Sequence, residues 1–540
     1  MLQGMEEGSF GRRKLQYIAW EGWSLGAPQD PEQERTPFLD LLTDYVRAGV
    51  VPYHTPGHKQ GRAAPPHLVE ALGPKPFLID LDGELSEPDP GHGRPWGRPG
   101  GEPGGRAPKP GALEEAEALA AAAFGARQAR FLVNGTTAGI HALFMAGAGP
   151  GRPVILPRNV HRSLIGGLIL SGARPVFVAP EYLEEAGVTT VPAAEVVAAA
   201  LAREPGASAL MLTAPTYYGW LPDLAGIGRA AAAAGVPLWV DEAHGALFGF
   251  HEALPPGALS SGAQAAVRSL HKGGGSLVQS SLLLLGEGGP DAARVDAALA
   301  VLQSTSPSPL LLASLDAARA WLASGASGRL ERLVETACWI REALNRISGV
   351  RCWGSEVVGR AGIAGWDPTR IVFSVEGLGL SGLEAAAWLR RACKLQVEMA
   401  DLLNVVVVLS LADGPWSAGR LVDGVRRLAA EARPGRRPLR VPPPPVPPAP
   451  LTPREAFFAP TRRVPLREAA GQTAAETVAP YPPGIPVLIP GEEVTPETIE
   501  YLERLRQAGA RLEGGSDPTG ETVLVVAGSP GRSGAVPEAL

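Results

Sequence analysis

Short apolar runs separated by turn-forming segments recur through the middle of the chain. They read ARFLV (129–133), RPVILP (152–157), ARPVFVAP (173–180), SALMLTAP (208–215), VPLWV (236–240) and AAVRS (265–269). Each is near-continuously apolar, as expected of a strand buried on both faces of a parallel sheet. Helical patterns alternate with them: an Ala/Leu/Glu-rich stretch from Gly111 to Ala123, then AGIHALFMAGA after Thr137. The order predicts a βαβ series, hence a mainly parallel sheet with helices on both faces. Upstream, Thr36-Pro37 opens the helical pattern PFLDLLTDYVRAG. Downstream, RIVFSVEGLGLSG and NVVVVLSL are strand-like, and TPETIEYLERLRQAG is helical.

These patterns divide the chain. Residues 1–35 are polar and patternless, and are expected to be a poorly ordered extension; 36–110 form a helix-and-loop segment. Its residues 80–110 are a Pro/Gly-rich loop, long enough to be functional or mobile. The large α/β unit spans 111–310, and a smaller α/β unit spans 311–432. The Pro-rich stretch 433–450 is a stiff linker, and 451–540 is a C-terminal unit.

Length allows several domains: 540 residues suffice for two to four. The net charge of −6 gives no electrostatic case for nucleic acid. The three cysteines, Cys338, Cys352 and Cys393, are too few and badly spaced for a disulfide framework or a zinc site. That fits a reducing cytoplasm. No apolar run approaches a membrane span, and no signal-peptide core opens the chain.

The chemistry gathers at the ends of two runs. VPLWV ends in Asp241, and AAVRS leads to His271-Lys272 and three glycines. In parallel α/β sheets ligands bind at the carboxyl ends of strands. An acid and an amine about thirty residues apart are thus delivered to one rim. Pyridoxal 5′-phosphate (PLP) needs such a pair: a lysine to bond its aldehyde and a carboxylate to keep its pyridine nitrogen protonated. Lys272 is one of only six lysines in a chain whose other basic side chains are arginine, and arginine cannot form an imine. The strand–turn–helix at Asn134-Gly135-Thr136-Thr137 is an anion-binding arrangement, or a plain helix start capped by Thr136. Ser269, His271 and Thr305, the last from a neighbouring subunit, could complete a phosphate cradle with Thr136 and Thr137. His161 and His244 are both candidates to cover the ring face. The loop Tyr53–Gly61, with two histidines and a lysine, suits an active-site or subunit-interface loop, or an ordinary turn.

Two other readings of DEAH, residues 241–244, are weaker. The nucleotide-driven helicase reading needs a phosphate loop ending in Gly-Lys, and no lysine here follows a glycine. A metal site from Asp241, His244 and His271 would leave Lys272 without a role, so no metal is expected.

The chain resembles the PLP-dependent Orn/Lys/Arg decarboxylases, especially their arginine or lysine decarboxylase-like bacterial branch. The resemblance rests on TPGHKQG, FLVNGTTAGIHALFMA, PRNVHRSLIGGLILSGARPV, TAPTYYGWLPDL, VDEAHGALFGFH, SLHKGGGSLVQSS, LQSTSPSPLLLASLDAAR, LTPREAFFAP and PYPPGIPVLIPGE, in the family's order over roughly residues 36 to 530. It departs at Pro309, where an aromatic is common, at Leu270, where a Thr is, and across 86–110. The resemblance implies a fold type I (aspartate aminotransferase-like) large domain, a smaller α/β domain and a C-terminal α+β domain. It implies that Lys272 is the Schiff-base lysine and Asp241 the pyridine-nitrogen partner. It favours His161 over His244 as the stacking residue, with Thr136, Thr137, Ser269 and His271 near the phosphate. It also implies a homodimer or larger assembly with shared active sites, and a role in polyamine formation or acid consumption. The expected reaction is α-decarboxylation of arginine, lysine or ornithine to the amine and carbon dioxide. Glu84, Glu398 and Asp401 are candidate partners for the substrate's distal cation. An aminotransferase or other lyase, or a non-catalytic regulator on the same fold, are the alternatives.

Overall fold

The computed structural model describes residues 31–81, 111–431, 433, 438–481 and 484–528. Most of the expected N-terminal extension and the whole of 86–110 lie outside these residues, as does Glu84. Residues 31–35, at the end of the expected extension, include a short 3₁₀ turn (Pro31–Glu34) in which Gln33 is buried. Arg319 Nη1 donates to the Gln33 carbonyl at 2.7 Å, and Arg319 also pairs with Asp316 at 2.6 Å in full burial. A buried guanidinium needs such acceptors, and the chain just before the first helix supplies them.

That helix, α1 (Pro37–Arg47), starts where Thr36-Pro37 predicts. After α2 (Ala112–Ala123) the large unit follows as β1 (Gln128–Leu132), α3 (Gly135–Gly147), β2 (Pro153–Pro157), α4 (Arg162–Ser171) and β3 (Arg174–Val178). It continues with β4 (Ala209–Thr213), β5 (Leu238–Asp241), β6 (Ala265–Arg268) and β7 (Ser281–Leu285). These strands form one sheet in the order β1-β7-β6-β5-β4-β2-β3. Only β7 runs against the rest: it is antiparallel to both β1 and β6, while the other pairs are parallel. The carboxyl ends of six strands therefore share one rim. β5, β6 and β7 are buried at every residue, which is why their sequences are apolar runs without alternation.

The smaller sheet comprises β8 (Arg351–Trp353), β9 (Arg370–Ser374), β10 (Met399–Ala400) and β11 (Asn404–Val408), in the order β8-β9-β11-β10 and antiparallel throughout. The strand-like patterns RIVFSV and NVVVVLS are its two central members. The C-terminal unit pairs β12 (Thr461–Pro465) with β13 (Thr522–Val526) and packs the helix Pro496–Gln507 against them. Arg158, one residue past β2, ties this unit to the large one. Its guanidinium meets both carboxylate oxygens of buried Glu492, at 3.0 and 2.7 Å, and the Val487 carbonyl at 2.9 Å.

Candidate active site

The rim carries the expected residues in turn. Thr136 and Thr137 follow β1, His161 follows β2, Asp241 ends β5, and Ser269 to Lys272 follow β6. Register brings Asp241 opposite Thr213 of β4 and Val267 of β6. Lys272 is thus one short turn beyond Asp241's neighbouring strand, and the two charges act on each other.

Asp241 is only 4% exposed and accepts a 3.2 Å hydrogen bond from the Ala243 N–H. Burial pushes its carboxyl up; Lys272 and Ala243 oppose that push. Burial pushes the Lys272 amine down, and Arg370 adds to this, while Asp241 and Glu398 pull it up. Lys272 Nζ lies 3.0 Å from His244 Nε2. The His244 ring packs against Tyr217, centroids 4.6 Å apart and tilted by 57°, and Lys272 Nζ lies 6.0 Å over the Tyr217 ring.

His161 is the N-cap of α4. Its Nδ1 accepts from the Ser163 N–H at 3.2 Å and meets Ser163 Oγ at 2.8 Å. Burial, with Lys272 and Arg162 nearby, drops its pKa to about 4, so the ring is neutral near pH 7. His271 is half-buried, and its Nδ1 lies 2.9 Å from the Ser280 carbonyl. A carbonyl only accepts, so that nitrogen carries the proton. Ser269 is buried, with Ser281 Oγ 3.4 Å from its hydroxyl.

The helix after β1 starts at Gly135 with Asn134 in the N-cap position but without a side-chain capping bond, so Thr136 is not the cap that the plain-cap reading expected. Gly135 takes a φ of +69°, open to it because it lacks a Cβ, and its N–H donates to the Gln279 carbonyl at 2.8 Å. This bond pins the start of α3 to the loop that follows Lys272. Thr136 and Thr137 then sit in the first helical turn, where N–H groups are free and the dipole is positive.

Other expectations fall differently. Thr305 is exposed beyond the helix Ala292–Leu302. Asp401 is half-buried and engaged elsewhere: it accepts from Tyr218 OH and from the Leu403 and Asn404 N–H groups, each at 2.7 Å. It belongs to the wall of a separate cavity of about 410 Å³, shared with Asn159, Tyr182, Tyr501 and the Pro-rich strap at 443–447. Glu398 is exposed but acts electrostatically on Lys272, Arg370 and Tyr217. Pro309 opens a helix as its first residue, and Leu270 is fully buried. In the Tyr53–Gly61 loop, His54 meets Tyr45 OH and His58 meets Asp80, contacts within its own segment.

Sequence reading missed Arg370 and gave Tyr217 no role. Arg370, at the start of β9, reaches His244 Nδ1 at 3.3 Å. Nothing in the spacing marks it, because it arrives from the other sheet. Glu242, second in DEAH, is structural: it pairs with Arg268 in full burial and braces β5 against β6.

This donor set fits PLP. It offers a desolvated amine, a buried carboxylate with one N–H bonded to it, a neutral imidazole at a helix cap and a helix start aimed at the same rim. Thr213 Oγ1, beside Asp241, and Ser276 Oγ, in the loop after Lys272, are buried with no partner among the described residues.

Comparison with known proteins agrees. The family model described as Orn/Lys/Arg decarboxylase, major domain, matches residues 106–415, and that for the family's C-terminal domain matches 446–518. Arginine decarboxylase of Halalkalibacterium halodurans is 38% identical over 499 residues, 92% of this chain and 98% of that protein. Arginine decarboxylase of Bacillus subtilis is 38% identical over 497 residues, with the same coverage. Lysine decarboxylase LdcA of Pseudomonas aeruginosa is 27% identical over 591 residues, 87% of this chain and 76% of that one. Among solved structures, the lysine decarboxylase LdcF of Francisella novicida superposes with a TM-score of 0.74 at 18% identity, over 92% of this chain and 81% of that one.

Proposed function

The chain belongs to the Orn/Lys/Arg decarboxylase family, and from that premise we propose that it converts L-arginine to agmatine and carbon dioxide with PLP as cofactor. It is an enzyme, a decarboxylase of basic amino acids. Arginine is favoured by 38% identity along nearly the full length of arginine decarboxylases, against 27% for a lysine decarboxylase. The observation that carries the chemistry is that Asp241 and Lys272, borne on adjacent strands of the sheet or just past them, act on each other electrostatically and are both desolvated.

PLP, when bound, supplies the electron sink for the pair released as the α-carboxylate leaves. The chain's residues do the rest. Lys272 would hold the cofactor's aldehyde carbon and yield it to the substrate amine. Asp241, kept dry, would keep the pyridine nitrogen protonated. His161, neutral and fixed by Ser163, would cover one ring face with His244 beside it, and Thr136, Thr137, Ser269 and His271 would receive the phosphate. Glu398 would attract the substrate's guanidinium, a role supported by its electrostatic reach to Lys272 and Arg370. A second subunit supplies Thr305 in this reading. A homodimer is supported by apolar side chains left exposed near the N-terminus: Val50, Val51, Leu72 and Tyr53, the last 92% exposed. The three cysteines are unpaired, in keeping with a cytoplasmic enzyme.

The test is direct. Purified protein with PLP is given arginine, lysine and ornithine separately, and carbon dioxide and amine are measured. Arginine should give agmatine fastest. Release from none of the three overturns the reading, and a keto acid in place of the amine selects transamination.

A further inference from the structure

His244 sits between two groups that are cationic in water. Arg370 Nη2 approaches Nδ1 at 3.3 Å and the His244 carbonyl at 3.5 Å, and Lys272 Nζ approaches Nε2 at 3.0 Å. Burial and both neighbours drive the ring's pKa well down, so it is neutral and carries one proton. Guanidinium has donors only and stays charged. Nδ1 must therefore accept, and the ring's proton lies on Nε2. That N–H points at Lys272, which can accept it only as a free amine. A protonated Lys272 would need Nε2 as acceptor, forcing the ring proton onto Nδ1 against the Arg370 N–H. The two halves of the contact thus favour the free amine over the ammonium at Lys272.

We propose that Arg370 is a positioning residue: acting through His244, it holds the Lys272 amine unprotonated and nucleophilic. The proton that Lys272 gives up goes to solvent. Other charged and titratable groups around the amine do not impose this state by themselves. Asp241 and Glu398 favour the ammonium, while His161, His271 and Tyr217 present rings at the same space. Arg370 is suited to the task because nothing else claims it. It makes no ion pair among the described residues, and its Nε and Nη1 are buried without partners. A guanidinium so poorly compensated is costly. Its retained contacts are those to His244. The purpose assigned to this relay rests on Lys272 being the cofactor-bearing amine; its existence does not.

The test uses the full chain freed of cofactor and no substrate. Trace labelling with acetic anhydride across pH 6.5 to 10, read by peptide mass spectrometry, reports the titration of each lysine. Lys14, Lys59, Lys75, Lys109 and Lys394 serve as references within the same sample. Slow access lowers the rate at Lys272 but does not move its midpoint. Lys272 should titrate below the reference lysines. Arg370→Met should raise its midpoint, cutting the labelled fraction at pH 8 about tenfold. Arg370→Lys, which also donates without accepting, should restore most of the effect. In a His244→Phe background, Arg370→Met should shift the midpoint much less. An unchanged midpoint in a folded Arg370→Met overturns the proposal. A full shift in the His244→Phe background also overturns it, because Arg370 would then act by its field alone. If Arg370→Met does not fold, His244→Phe must raise the midpoint while Arg370→Lys does not; any other pattern overturns the relay. A chain that passes but releases no carbon dioxide fails as a decarboxylase and keeps the relay.

Discussion

Asp241 is held in the folded chain at a cost. Its carboxyl is desolvated, and burial outweighs the help of Lys272 and Ala243. A raised acid binds its proton more readily when folded, so its contribution favours the fold at low pH and is lost as pH rises through the raised value. Asp241→Asn keeps the shape and removes the charge. The cofactor-free chain should then gain about 1 kcal/mol or more at pH 8, measured by thermal melting. Decarboxylation should fall by roughly two orders of magnitude, because the preorganised charge is gone. A variant both less stable and equally active would contradict this. His161 has the opposite sign. Its folded pKa of about 4 lies below the ordinary 6.5, so stability is lost as pH falls between those values. His161→Phe keeps a flat ring without the titration. The decline of melting temperature from pH 6.5 to 4 should be shallower in that variant. At this scale the sequence was informative where a residue ends an apolar run. Asp241 and Lys272 could be read because strand ends face the ligand in such sheets. Arg370 could not: it stands about a hundred residues past Lys272, among many arginines, and only the packing of two sheets brings it to His244.

The central strands were legible because burial on both faces removes alternation and leaves apolar runs; β1 and β3, at the sheet edges, are only partly buried. What the runs do not reveal is direction. β7 is as apolar as its neighbours yet antiparallel, and the short path from Lys272 to Ser281 is what turns it back. Nor do they reveal how close α3 approaches the sheet. Gly139 lies in that helix where an added Cβ would stand 2.8 Å from Leu132 Cδ1 and 2.9 Å from Val267 Cγ1. Both belong to buried strands with little room to retreat. Gly139→Ala should therefore cost about 1–3 kcal/mol in urea unfolding despite its better helix propensity. It should also weaken retention of PLP, because lifting α3 moves Thr136 and Thr137 off the rim. Unchanged stability with unchanged PLP affinity would show that the helix start tolerates displacement.

Three units must stay in place for the site to exist, and Arg158 is where two of them are fastened. It stands three residues before His161, and its partner Glu492 lies in the C-terminal unit. Burial pushes the Glu492 carboxyl up, with Arg158 opposing, so the pair is expensive to desolvate and worth keeping only while both members remain. The linker pattern at 433–450 announced a separate C-terminal unit but not this fastening, since partners 334 residues apart leave no local trace. Glu492→Ala leaves a guanidinium buried with two carbonyls, a loss of about 3–5 kcal/mol. Limited proteolysis should then cut within 438–450 faster than in the wild type, before the large sheet opens. Replacing both members with methionine removes the charge as well as the pair and should recover most of the protection. If neither variant is cut faster than the wild type, the C-terminal unit is held by its apolar contacts, with Ile489 packed among the residues between α3, α4 and the sheet. If only the single variant loosens, the stranded guanidinium is what opens the seam, and the ion pair serves to neutralise a buried charge that an apolar pair could replace beside the loop that positions His161.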